Sequence, residues 1–143
     1  MKSAIQSLDL SYFIHATEDP EKVNFAVAKL LGTDATFESQ DMAGHFGNAI
    51  REVGVHLHGV EAEDSLGRLV SSLPGSLREE LVRDIDKLVD EHSSLFIRID
   101  KQKLVEGELV RGSNDVVRIK VKPRGFVMKG KAREFFVGLL TAK

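Results

Sequence analysis

Two short stretches of strict alternation, 95–102 and 115–122, constrain this chain most. The first reads Leu-Phe-Ile-Arg-Ile-Asp-Lys-Gln and the second Asp-Val-Val-Arg-Ile-Lys-Val-Lys. Successive side chains of an extended strand point to opposite faces, so a period of two marks a strand with one face in a core. Leu95, Ile97 and Ile99 then take one side, and Phe96, Arg98 and Asp100 the other. In the second stretch Val117, Ile119 and Val121 oppose Arg118, Lys120 and Lys122. If both strands lie in one sheet with their apolar faces inward, the outer face carries cations and an aromatic ring, a surface suited to phosphates and a stacked base. A charged outer face also serves solubility and discourages edge pairing, so the pattern alone leaves both readings open.

The distribution of charge along the chain favours the first reading. The formal net charge is only −2. Yet residues 1–94 hold 8 basic against 17 acidic side chains, a balance of −9, while residues 95–143 hold 12 against 5, a balance of +7. Segregation of this kind predicts one positive face able to concentrate a polyanion. The 143 residues fit one domain spanning 1–143, large enough to bury a core without staples. Cysteine is absent, which excludes a disulfide framework, a thiolate metal site and a thiol enzyme. No apolar run approaches the roughly 20 residues of a membrane-spanning helix. Residues 1–10 are interrupted by Gln6, Ser7 and Asp9 where a signal peptide needs an apolar core. The expected location is the cytoplasm.

Taken in order, residues 5–16 alternate as a first strand, with Leu8, Leu10, Tyr12, Ile14 and Ala16 on one face and Asp9, Ser11, Phe13 and His15 on the other. Asp19, Pro20 and Glu21 form a helix start: a capping carboxylate, a proline at the first helical position and an acid opposing the helix dipole. Val23, Ala26, Val27, Leu30 and Leu31 supply the apolar stripe, and Gly32 the stop. Residues 36–43 form a weaker strand candidate, followed by a glycine-bracketed turn at 44–48 and a second alternating run over 49–60. A short helix over 63–72 precedes a helix whose Ser76 and Glu79 have capping-box spacing, with Leu77, Leu81, Ile85, Leu88 and Val89 inward. Glu80, Asp84, Asp86 and Asp90 on its other side read as an acidic, solvent-facing surface. Residues 102–111 read as irregular, with a short strand near 108–111, and 132–140 suit a closing amphipathic helix. The predicted class is α+β: a two-layer sandwich, its sheet mixed but mostly antiparallel, with helices on one face and the other partly open.

Four blocks in this order resemble a known family. They are His15-Ala16-Thr17-Glu18-Asp19 with Glu21-Lys22-Val23; Gly44-His45-Phe46-Gly47-Asn48; Leu95 to Gln102; and Asp115 with Arg118-Ile119-Lys120. The sequence is similar to the archaeal RNA-binding proteins predicted to be exosome subunits, and departs from their pattern at Ala49, where proline is expected. The resemblance implies a fold similar to the large-subunit ribosomal protein that holds 5S rRNA. It also implies RNA as partner and association with an exosome-type complex. It supplies no catalytic residues.

Candidate site residues follow from these readings. Arg98, Lys101, Gln102, Arg118, Lys120, Lys122 and Arg124 are the RNA-binding candidates: arginine pairs bidentately with phosphate or stacks, lysine acts as a point charge, and glutamine can read a base edge or a 2′-hydroxyl. His45 and Asn48 join them, because the 44–48 turn can either cradle a phosphate with backbone amides or serve only as a tight turn. Thr17 and Asp19 read as capping residues. His56 and His58 share a strand face and could reach one metal ion with Glu52, Glu61 or Asp64 as a third ligand, but no further His or Cys spacing supports such a site, so no metal or other cofactor is expected. No phosphate loop, nucleophile elbow or complete metal triad is present, and the expected function is non-catalytic RNA binding. The alternative is an interaction subunit whose basic surface docks an acidic partner, with the acidic helix and basic tail able to complement one another in a homodimer.

Overall fold

Each apolar alternation becomes the inner face of a strand in a computed structural model, which describes residues 4–32, 37–43, 49–125 and 129–141. The strands are β1 (Ile5–His15), β2 (Phe37–Ala43), β3 (Ala49–His58), β4 (Leu95–Asp100) and β5 (Val116–Pro123). They form one sheet in the order β2-β3-β1-β5-β4, with every neighbouring pair antiparallel. Leu8, Leu10, Tyr12 and Ile14 of β1 are buried beside Val53, Val55 and Leu57 of β3 and Val117, Ile119 and Val121 of β5. Leu95, Ile97 and Ile99 of β4 complete that face.

The helices are α1 (Pro20–Leu31), α2 (Gly59–Ser72), α3 (Gly75–Arg83), α4 (Ile85–Leu88), α5 (Lys101–Val105) and α6 (Lys129–Thr141). They cover the inner face with Val27, Leu31, Leu66, Leu69, Leu81 and Phe136, all buried. Each large apolar side chain so enclosed contributes about 1.5–3 kcal/mol relative to exposure. The result is the two-layer α+β sandwich, with one sheet face left uncovered.

Helix α1 forms as its sequence dictates. Asp19 accepts from the Glu21 amide at 3.0 Å, Pro20 opens the helix, and Gly32 closes it in the left-handed conformation at φ 66°. Tyr12 is enclosed between sheet and helices and donates its hydroxyl proton to Asn24 Oδ1. Burial pushes that hydroxyl above its ordinary range, so it remains a neutral donor.

Three expectations are corrected. The capping box at Ser76 does not form, because α3 already starts at Gly75 behind Pro74, and no side chain caps it. The long helix through Val89 is broken at Asp84, which leaves helical geometry (φ −99°, ψ 15°) while its carboxylate takes Arg111 at 2.7 Å. The 108–111 strand reduces to a single bridge between Ile99 and Arg111, and 101–105 winds into α5 instead of staying irregular. Residues 44–48, with the candidates His45 and Asn48, lie outside the described residues. Among the described residues no helix is long and apolar enough to cross a membrane.

Candidate nucleic-acid interface

On the uncovered face, strand register decides which cations meet. Arg98 of β4 lies directly opposite Arg118 of β5, and Phe96 opposite Lys120. Across the other edge of β5, Arg118, Lys120 and Lys122 face Ser11, Asp9 and Ser7 of β1. Arg98, Arg118, Lys120 and Lys122 are all exposed. Two aromatic rings lie among them. The Arg118 guanidinium is 5.7 Å from the centre of the Phe13 ring, and the Lys120 ammonium 5.7 Å from that of Phe96. Distances within about 6 Å let a cation hold a ring by its quadrupole. Phe13 is a site residue that the sequence reading passes over, although its place on the outer side of β1 was already legible.

Like charges directly opposite one another destabilise a strand pair, so the Arg98–Arg118 register needs a reason. Neither arginine forms an ion pair with a carboxylate among the described residues, and the same holds for Lys120 and Lys122. Asp9 is the nearest cross-strand carboxylate to Lys120, but it is engaged on its far side by His56 Nδ1 at 2.7 Å. That bond raises the His56 pKa against the opposing effect of burial, with the Asp9 and Glu38 charges adding to it. The face is therefore polarised. Strands β4 and β5 hold unpaired cations, β2 and β3 hold Glu38, Glu52, His56 and His58, and β1 is the seam.

Lys101 is a correction. It is fully buried, and its ammonium lies 2.7 Å from Glu18 and 2.9 Å from Asp115 and also donates to the Phe13 carbonyl. The β1–β5 ladder stops at Ser11–Arg118, and beyond it Lys101 takes the Phe13 carbonyl. Burial alone would raise the Glu18 and Asp115 carboxyls, but bonds from Lys101 and Gln102, and for Glu18 from the His15 amide, outweigh it and hold both below the usual range. Gln102 is exposed but its amide donates to Glu18 at 2.8 Å and to Asp115 at 3.0 Å. The loop carrying Asp115 comes close because Gly112 packs against Asp100, where a Cβ would sit 2.9 Å from its Cα. His15, Glu18 and Asp115 have ligand atoms within 4.8 Å of one another, the one such metal-sized group among the described residues. The Lys101 ammonium already holds the cationic position between the two carboxylates.

The acidic surface around α3 and α4 is likewise not simply solvent-facing. Asp84 binds Arg111, Asp86 binds Arg133, and Asp90 accepts from the amides of His92 and Ser94 at 2.9 Å each. Two of the cations in the basic segment are thereby neutralised inside the molecule. Arg124 is exposed just past β5, its amide donating to the Ala4 carbonyl at 3.0 Å.

Comparison with known proteins gives this face a context. A family model described as RNA binding matches residues 7–123. An RNA-binding protein of Pyrococcus abyssi is 35% identical over 138 residues, covering 92% of this chain and 90% of that one. Among solved structures, a DUF54 protein of Archaeoglobus fulgidus aligns with a TM-score of 0.80 at 28% identity, over 94% of this chain and 99% of its own. A DUF54 protein of Methanothermobacter thermautotrophicus gives 0.75 at 29%, over 95% and 98%.

Proposed function

The chain belongs to this RNA-binding family, and on that premise we propose that it binds RNA across the open face of its sheet. Arg98, Arg118, Lys120 and Lys122 meet the sugar-phosphate backbone, with Arg124 extending the row, while Phe13 and Phe96 stack unpaired bases. The observation that carries the reading is the Arg98–Arg118 register: two exposed guanidiniums, opposite each other and without a carboxylate partner among the described residues, lose their mutual repulsion when a phosphate lies between them. An uncovered sheet face bearing aromatic rings suits splayed single strands better than the closed surface of an A-form duplex. The protein acts without catalysis, presenting RNA to a processing or degrading assembly of the exosome type.

Fluorescence anisotropy with a single-stranded oligoribonucleotide and a duplex of the same sequence, across a salt series, tests this. The single strand binds more tightly, and affinity falls with salt. Joint Arg118→Glu and Lys120→Glu flattens the logarithmic salt slope by about 1.4, two phosphates at about 0.7 each. Unchanged binding in that variant, or no binding of either RNA at low salt, overturns the proposal. The competing reading, an acidic protein docked on the same cations, predicts instead a partner that survives nuclease treatment and is lost in the same variant.

A further inference from the structure

The helical layer carries a second surface, remote from the open sheet face. A groove of about 340 Å³ runs between α1 and the end of α5 with the segment that follows it. Phe25, Ala26, Leu30, Leu104, Val105 and Leu109 form its walls, and Lys22 and Lys29 its rim. Phe25 is 71% exposed, the most exposed large apolar side chain among the described residues. Helix α1 buries a different stripe, through Val23, Val27, Leu30 and Leu31, so Phe25 is not part of the core. Lys22, Phe25 and Lys29 are spaced i, i+3 and i+7, which puts them along one helix face.

We infer that this groove docks a segment of a protein partner in which large apolar side chains are flanked by carboxylates. The apolar part follows from the lining: aliphatic walls and a protruding ring form the kind of exposed patch that marks an interaction site. The charge follows from the rim. Lys22 and Lys29 form no ion pair among the described residues, whereas the nearby carboxylates of Glu106 and Glu108 are both engaged by Lys103, at 3.6 and 3.9 Å. One ammonium offsets one of those two charges, so with Lys22 and Lys29 the balance around the groove is +1, and the charged side chains that line it, Lys22 and Lys29, are both positive; an acidic flank complements them. Apart from the Phe25 ring the walls are aliphatic, from Ala26, Leu30, Leu104, Val105 and Leu109, a lining that suits apolar side chains better than a run of stacked bases. Protein and RNA can then be held at once, on opposite layers.

A random dodecapeptide display library, selected against the full chain, tests the assignment. Enriched peptides carry an apolar centre with Asp or Glu on both sides. They lose about tenfold or more in affinity on Phe25→Ala, as expected of an exposed aromatic anchor, and on joint Lys22→Glu and Lys29→Glu, while RNA affinity is unchanged in both variants. Thermal melts matching the unmodified chain show that the variants are folded, as the exposure of all three residues predicts. The inference is overturned if no peptide is enriched, if the enriched peptides are basic or uncharged, or if they bind the variants as well. It is also overturned if the variants weaken RNA binding, which would make the groove part of the RNA path, or if sedimentation shows a dimer that Phe25→Ala dissociates, which would make a second copy its occupant.

Discussion

Lys101, the first residue of α5 just past β4, and Lys120 in the neighbouring strand β5 are treated by the molecule in opposite ways. Lys120 stands on the open face over the Phe96 ring with no carboxylate bound to it among the described residues. Lys101 is sealed between Glu18 and Asp115. The difference is one of phase. Residues 95, 97 and 99 point inward, so 101 falls on the inner side, and Asp100 then caps α5 by accepting from the Lys103 amide at 2.9 Å and turns the chain there. One cation is structural and the other available, although their local sequences look alike.

The largest effect should come from removing the buried member. Lys101→Met leaves two carboxylates without their cation and should destabilise the protein by about 3–5 kcal/mol, read by urea denaturation. Adding Glu18→Gln and Asp115→Asn should recover most of that loss, because the penalty lies in the unpaired charges. By contrast, Arg118→Glu with Lys120→Glu should leave stability within about 0.5 kcal/mol while weakening RNA binding and flattening its salt slope. A large stability loss in that pair, or none in Lys101→Met, breaks the comparison.

Phe96→Ala and Phe13→Ala should each cost about 1–3 kcal/mol of single-strand affinity, with the salt slope unchanged because no phosphate contact is lost; a flattened slope would mean that the rings only position the cations. Acid sharpens the contrast further. The Glu18 and Asp115 carboxyls are held below their ordinary values. Their contribution is therefore complete above the ordinary carboxylate range of about pH 4 and is lost as pH falls through their folded values. Stability against urea should decline over that interval, and much less so in Lys101→Met. The smallest effect belongs to His56. Its pKa is raised by Asp9, so its stabilisation is present below about pH 6.5 and disappears as pH rises through the folded value. An NMR titration should place its midpoint above that of Asp9→Asn.

Much of this was legible in the residues. Period-two alternation located β1, β4 and β5 and assigned Arg98, Arg118 and Lys120 to one face, because side-chain direction in a strand is a matter of parity. The ends of α1 were equally plain, since Asp19, Pro20 and Gly32 each act within one turn. What the sequence concealed depends on distant partners. Nothing local to Asp84 announces that the helix breaks there or that its carboxylate meets Arg111, and nothing near Lys101 names Glu18 or Asp115. Parity carried one step past Ile99 would have turned Lys101 inward, but its charge argued for solvent, and the two enclosing carboxylates lie far away in the chain. Phe13 could have been found by extending the outer row of β1.

The strand order carries a consequence for synthesis. Leu10 at the centre of β1 pairs with Val55 on one side and Ile119 on the other, so β1 leaves the ribosome long before its second neighbour exists. Until β5 emerges, one long flank of an apolar strand stays open to any passing chain. Such distant pairing slows folding compared with local helix contacts. A nascent chain halted short of residue 123 should therefore depend on chaperones, whereas the finished one encloses β1 on both sides.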